Sequence, residues 1–272
     1  MTAEAPAGDQ LADRVAGINW YHSIELAPGV LTPGWFDTRA IAPRLPMPAD
    51  LSGRRCLDVG TFDGFWAFEM ERRGAAEVVA LDIPDPDLWD WPANTDPDAR
   101  EEISSRRPGE GFALAHAALG SAVNRLERSV YDLDAGKLGT FDYVYLGSLL
   151  LHLRDPVRAL ERVHDVCRGE LLLVETIDLP LTLMMPGRPA ATLDLRGRPW
   201  WWTANTAGVV RMLEAARFAP LGRPRRIYMP AGRGQEVPPL SIRRLLHPQG
   251  PKLALLALKG DPHVAVRARP LA

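Results

Sequence analysis

Lysine is nearly missing from this chain of 272 residues: Lys137, Lys252 and Lys259 are the three among 32 basic side chains. With Ala, Gly and Pro abundant, the imbalance reflects GC-rich coding composition, so a cluster of arginines is weak evidence for an anion site. Cysteine is almost as scarce. Cys56 and Cys167 lie more than a hundred residues apart, without a CxxC or Cys/His spacing, which excludes a disulfide framework and a zinc site and leaves two buried thiols and no metal as the expectation. There is no run of about 20 apolar residues, and MTAEAPAGDQLADR lacks the basic-then-apolar layout of a signal peptide, so a cytoplasmic, non-membrane protein is expected. A net charge of −2 gives no global case for a nucleic-acid or membrane partner. The G-x-G-x-x-G fingerprint of dinucleotide-binding folds is missing as well.

What is present is ordinary for a globular protein, 46% hydrophobic and 24% charged. Residues 1–8 read as a tail, Asp9 to Ala16 as a short helix, and the Pro- and Gly-punctuated stretch up to residue 50 as a segment wrapping over a neighbouring surface. From Arg55 strands and helices alternate. RRCLDVG, EVVALDI, RLERSVYDL, FDYVYLG and ELLLVETI read as strands. Asp63 to Arg73, Gly111 to Ser121, Pro156 to Cys167 and Thr206 to Arg217 read as helices, the last capped by Asn205 or Thr203. RRIYMP and KLALLALKG are two further strand candidates. Such alternation of continuous apolar strands with helices predicts an α/β, Rossmann-like doubly wound sheet. Residues 1–50 would form the tail and lid, and residues 51–272 the cofactor-binding domain.

The glycine loop is LDVGTFDGFWAFEM, Leu57 to Met70. Asp58 precedes Gly60, and Asp63 lies inside the loop beside Thr61 and Phe62. Two carboxylates repel a pyrophosphate but suit a ligand carrying cationic groups. S-adenosylmethionine, with a sulfonium and an ammonium and no phosphate, meets that demand, and its carboxylate can use amides at a helix start. Asp82, 22 residues after Gly60 at the end of the second strand, stands where a ribose diol is bound, with Ile83 next to it.

WYHSIEL, TPGWFD, LDVGTFDGFWAFEMERRGA, VALD, SVYDLD, GSLLLHLRDPVRAL and WWTANTAGVVRMLEAARF carry a closer likeness. Over about Trp20 to Phe218 the sequence resembles the class I S-adenosylmethionine-dependent methyltransferases, and within them those related to the tRNA wobble-uridine carboxymethyltransferase. The resemblance implies a seven-stranded sheet with its last strand antiparallel. It also implies Asp58, Gly60 and Gly64 at the methionyl end, Asp82 at the ribose, Tyr131 and Asp132 at the adenine edge, and Gly147 and Ser148 beside the transferring methyl. Two departures matter. Leu151 replaces a tyrosine that helps the tRNA enzyme hold a carboxylated cofactor, and Trp20 to Asp37 contains no lysine to pair with that carboxylate. Ordinary S-adenosylmethionine is therefore the expected cofactor.

His152, after the fourth strand, and His22, in a segment able to close over the cofactor, are the candidate catalytic bases. Tyr21, Trp35, Trp202 and Asn205 are the candidate acceptor-binding residues. His116, His164, His247 and His263 gain no functional weight. Residues 82–102 hold eight acids against one arginine, which would discourage a polyanion at the ligand edge. Arg217, Arg223, Arg225, Arg226, Arg233, Arg243 and Arg244 face one acid, Glu236, and are the best support for RNA. The expected function is methyl transfer to a small-molecule acceptor of specialised metabolism. A tRNA-modifying methyltransferase, a non-catalytic cofactor binder and an NAD-dependent oxidoreductase are the alternatives.

Overall fold

A computed structural model describes residues 8–104, 109–194, 197–237, 239, 241, 243 and 250–272. Residues 1–7 of the expected tail, Arg244 and His247 fall outside them.

Five strands build this part of the sheet, and all but the third carry long runs of buried residues: Arg55–Val59 (β1), Glu77–Asp82 (β2), Asn124–Glu127 (β3), Phe141–Gly147 (β4) and Cys167–Thr176 (β5). They pair in parallel in the order β3-β2-β1-β4-β5. Beyond β5 come the short strands Phe218–Pro220 (β6) and Arg225–Met229 (β7) and the long strand Asp261–Pro270 (β8). β8 runs antiparallel to β5, and both short strands pair along its other edge. The sheet thus has eight strands at seven positions, because the edge position is broken at residues 221–224.

Alternate residues of a strand face opposite sides, and here both sides are covered. Cys56, Tyr143, Tyr145, Leu172 and Val174 join a core with the N-terminal segment and the helices Phe65–Arg72 (α1) and Glu110–Leu119 (α2). Leu57, Val59, Val144, Leu171 and Leu173 join the opposite core with Pro156–Val166 (α3) and Thr206–Ala215 (α4). From β1 the chain moves to β2 on one side, and the return places β4 on the other. That switch point opens a crevice at the carboxyl ends of β1 and β4.

The N-terminal segment folds back over this edge. Ser23 N–H bonds to Phe36 C=O at 2.9 Å, Asp37 N–H to Pro230 C=O at 3.0 Å and Gly232 N–H to Trp35 C=O at 2.8 Å. Two sequence expectations need correction. KLALLALKG is helix up to Leu258, in Gly250–Leu258, because leucine and alanine favour helix and the run has no β-branched residue. The closing strand is β8, whose Pro262 disguises it but sits near the strand's start, where a proline is tolerated. RLERSVYDL is a strand only as far as Glu127, since the Ser129 hydroxyl caps a short 3-10 turn, Val130–Asp132.

Candidate functional site

After Val59 the chain turns through Gly60 (φ +76°) and Gly64 (φ +92°), left-handed conformations that glycine adopts freely. A Cβ on Gly64 would also lie 2.5 Å from the Phe68 ring and 2.8 Å from Phe112, so the bare glycine lets α1 and α2 close together. Phe62 is left-handed too, at φ +50°, a strain on the order of 1–3 kcal/mol. Asp82 secures it: one carboxylate oxygen accepts the Phe62 N–H at 2.6 Å and the other the Ile83 N–H at 2.8 Å. Burial raises the Asp82 pKa above the usual carboxylate range. Gly60 and Thr61 N–H both bond to the Leu81 carbonyl, tying the loop to β2.

The two loop acids, Asp58 and Asp63, lie behind the loop and not on the cavity wall. Asp58, 1% exposed, lies beneath the loop, accepts the Thr61 hydroxyl at 2.7 Å, and is pushed up to about 7 by burial. Asp63 is equally buried and is consumed by the N-terminal segment, accepting the N–H of Tyr21 at 2.8 Å, the N–H of His22 at 2.7 Å and Nδ1 of His22. Neither carboxylate reaches the cavity wall; Asp82 and Asp90 are the acids that line it.

The cavity measures about 240 Å³ and lies at the switch point, near the lower end of small-molecule sites, roughly 300–1,000 Å³. Of the sequence candidates it brings together Tyr21, His22, Gly60, Phe62, Asp82, Ile83, Tyr131, Gly147, Ser148 and His152. Asp58, Thr61, Gly64 and Asp132 do not line it; the first three shape the loop from behind, and Asp132 is exposed on the turn after β3. Three acceptor candidates are displaced. Trp35 is 41% exposed, Trp202 donates its Nε1–H to the Leu153 carbonyl, and Asn205, fully buried, caps α4. Its Oδ1 accepts Gly208 N–H at 2.7 Å while Nδ2 binds the Met185 and Arg188 carbonyls, which leaves nothing for a ligand.

His22 stacks on Phe65 at 5.5 Å and presents its edge to Tyr21. With Nδ1 against Asp63, its Nε2 has no protein partner among the described residues. His152 donates Nδ1–H to the Pro199 carbonyl at 2.7 Å, and burial lowers its pKa, so it is held neutral with Nε2 as an acceptor. Glu175, pushed up to about 7 by burial, accepts the Leu150 N–H at the start of the turn that carries His152.

Sequence reasoning missed His263. Completely buried on β8, it donates Nδ1–H to the Asp261 carbonyl and accepts at Nε2 from the hydroxyls of Ser148 and Thr176, both at 3.0 Å. Burial keeps it neutral by lowering its pKa. Ser148, at φ +49°, is thereby fixed on the wall beside Tyr21, whose phenol it meets and whose pKa burial raises. Trp66 and Tyr145, stacked at 4.6 Å, and Phe36, Thr38 and Met229 also line the cavity. Trp66 and Tyr145 are core residues whose faces the cavity borrows.

The acidic insert after β2 contributes Leu88, Trp89, Asp90, Trp91 and Ile103 to the wall. Asp90 accepts the Tyr131 hydroxyl at 2.6 Å and the Arg154 N–H at 2.8 Å, and its carbonyl accepts Trp201 Nε1–H at 2.6 Å. Arg128 is the guanidinium on the same wall. Among the described residues no group of acids, histidines and cysteines is placed to hold a metal, and no helix is long and apolar enough to cross a membrane.

A family model described as a methyltransferase domain matches residues 36–222. A tRNA U34 carboxymethyltransferase from Idiomarina loihiensis is 27% identical over 188 residues, 65% of this chain and 48% of that protein. The chain therefore spans about half the length of this curated relative. Among solved structures, the N-terminal domain of EvdMO1 with SAH bound superposes with a TM-score of 0.55 at 15% identity over 100% of both chains. An S-adenosylmethionine dependent methyltransferase from Mesorhizobium loti gives 0.50 at 17% identity, over 85% of this chain and 97% of its own. At such identities the likeness is one of fold, and it agrees with the Rossmann-like sheet expected from the sequence.

Proposed function

The chain belongs to the methyltransferase-domain family, and from that premise we propose that it transfers a methyl group from S-adenosylmethionine to a small-molecule acceptor. The observation that carries the cofactor reading is the row of groups along one cavity wall: the Gly60–Phe62 loop, Asp82 with one oxygen bonded to that loop, and Gly147–Ser148 at the end of β4. Gly60 and Phe62 border the methionyl end, Asp82 accepts the ribose hydroxyls, Ile83 and Tyr131 flank the adenine, and Ser148 stands near the reacting centre. Bound there, S-adenosylmethionine supplies a methyl on a sulfonium, an electrophile that needs alignment more than activation.

The N-terminal segment acts as a lid, closed by Asp63. That carboxylate fixes the Nδ1 proton of His22, leaving Nε2 as the base that takes a proton from an acceptor, the role we assign to His22 in preference to His152. His152, neutral and held by Pro199, orients the acceptor. A small acceptor is favoured because the wall is aromatic and carries Asp82 and Asp90 against Arg128, a poor receptacle for a polyanion.

The second reading, tRNA modification, rests on the curated relative. Against it, Leu151 is buried away from the cavity and offers no group to an additional cofactor carboxylate. Calorimetric titration with S-adenosylmethionine, its carboxylated analogue and NAD decides among the readings. Binding of S-adenosylmethionine alone is expected; preference for the carboxylated form makes tRNA the leading substrate, and binding of NAD alone overturns the cofactor assignment.

A further inference from the structure

Ser148, His152 and His22 line the cavity, and each has its proton fixed by a partner outside it. The chain of donors is clearest at His263. Its Nδ1 lies 3.0 Å from the Asp261 carbonyl, which can only accept, so Nδ1 carries the proton and Nε2 offers a lone pair. The hydroxyls of Ser148 and Thr176, each 3.0 Å from that Nε2, must donate to it. Ser148 thus spends its proton on the interior and keeps only lone pairs for the cavity. His152 does the same through the Pro199 carbonyl, which takes its Nδ1–H at 2.7 Å, and His22 through the Asp63 carboxylate. Neither of these two rings has a protein partner at Nε2 among the described residues. The three groups share one end of the cavity. Ser148 leads into the short turn Leu150–His152, and Tyr21, next to His22 in the chain, meets Ser148 through its phenol.

A wall of that polarity requires its occupant to bring the hydrogens. A carboxylate or phosphate there would set lone pair against lone pair, with Asp82 and Asp90 on the same cavity. An acceptor that arrives already deprotonated would leave the His22–Asp63 pair no proton to take. The rings of Tyr21, Phe36, Trp66 and Tyr145 supply an apolar lining for a flat body. We propose that the acceptor is a neutral, polyhydroxylated aromatic molecule methylated on a hydroxyl oxygen, that a second hydroxyl donates to His152 or Ser148, and that His263 is the positioning residue that sets this preference through Ser148. The first hydroxyl donates to Nε2 of His22. Its oxygen forms the bond to the methyl carbon, the carbon–sulfur bond breaks with its electron pair left on sulfur, and the proton passes to Nε2. The inference rests on the methyl-transfer reading and names its substrate class.

The test titrates the full chain, saturated with S-adenosylhomocysteine, with three rings of one substitution pattern: resorcinol, which has two donors, resorcinol dimethyl ether, which has none, and isophthalate, which has two carboxylates. Resorcinol is expected to bind about tenfold more tightly than either of the others, and to take up labelled methyl from S-adenosylmethionine. His263→Phe removes the Nε2 lone pair and frees the Ser148 proton to turn into the cavity, so the preference for resorcinol over its dimethyl ether should fall about tenfold. A merely structural role would weaken all three rings alike and leave that ratio standing. Ser148→Ala, which deletes the same lone pairs without disturbing the buried histidine, should lower the ratio too, and it carries the test if His263→Phe does not fold. Preference for isophthalate, equal binding of the three rings, binding of none, or an unchanged ratio in the folded variants would overturn the proposal. Failure of the natural chain to bind S-adenosylhomocysteine would instead remove the methyl-transfer reading beneath it.

Discussion

Asp63 holds His22 twice, through the backbone N–H at 2.7 Å and through Nδ1 of the ring, and it takes the Tyr21 N–H as well. One buried carboxylate in the glycine loop thereby joins the N-terminal segment to the cavity edge and sets the tautomer of an imidazole on the wall.

Asp63→Ala removes all three bonds and leaves buried donors behind. We expect a stability loss of about 3 kcal/mol in urea unfolding, together with weakened binding of S-adenosylhomocysteine. A variant as stable as the natural chain would show that the lid is held by its apolar contacts alone.

Glu175 gives a pH signature. Its folded pKa, about 7, lies above the ordinary glutamate range, so between those limits the folded protein binds more protons than the unfolded chain, and stability falls as pH rises through that window. Glu175→Gln keeps an oxygen for the Leu150 N–H and removes the ionisation. The melting-temperature advantage of the variant should grow between about pH 4.5 and 7 and level off above, while the lowered pKa values of His152 and His263 affect both proteins alike and cancel in the difference.

Asp82→Ala deletes the acceptor proposed for a ribose diol and frees the strained Phe62 turn. S-adenosylhomocysteine should bind about 30- to 150-fold more weakly, a loss of about 2–3 kcal/mol by calorimetry.

Gly64→Ala places a methyl within the Phe68 and Phe112 rings at a left-handed backbone position. A loss of about 2–4 kcal/mol in denaturant unfolding is expected.

Asn205→Ala should cost about 1–2 kcal/mol through loss of the cap on α4 and leave affinity for S-adenosylhomocysteine as it was. A change in affinity with stability retained would restore Asn205 to the ligand site.

What the sequence made legible was local. Gly60, Phe62, Asp82, Ile83, Gly147 and Ser148 lie at strand ends, where spacing alone reports position, and all reach the cavity. What it hid depends on partners distant in the chain. Ser148 and His263 are 115 residues apart, and nothing near His263 advertises their bond. The charge of Asp63 looked available to a ligand because its partner, His22, comes 41 residues earlier. Asn205 and Trp202 were conspicuous for their chemistry, yet backbone carbonyls distant in the chain, those of Met185 and Leu153, claim their N–H groups. Leucine and alanine in KLALLALKG satisfy an apolar strand pattern as readily as a helix, and only β8 closing the sheet decides between them.

The interruption between β6 and β7 bears on how copies of this chain meet one another. An unbroken outer strand would present a continuous ladder of free N–H and C=O groups, the template on which a second molecule can extend the sheet. Here the ladder is cut at residues 221–224, which include Pro224, and its longer half begins with the exposed Arg225 and Arg226. A cut, charged margin of this kind discourages self-templating and fibre growth. The arginine run that in sequence suggested a grip on phosphate lies, at two of its positions, on that margin.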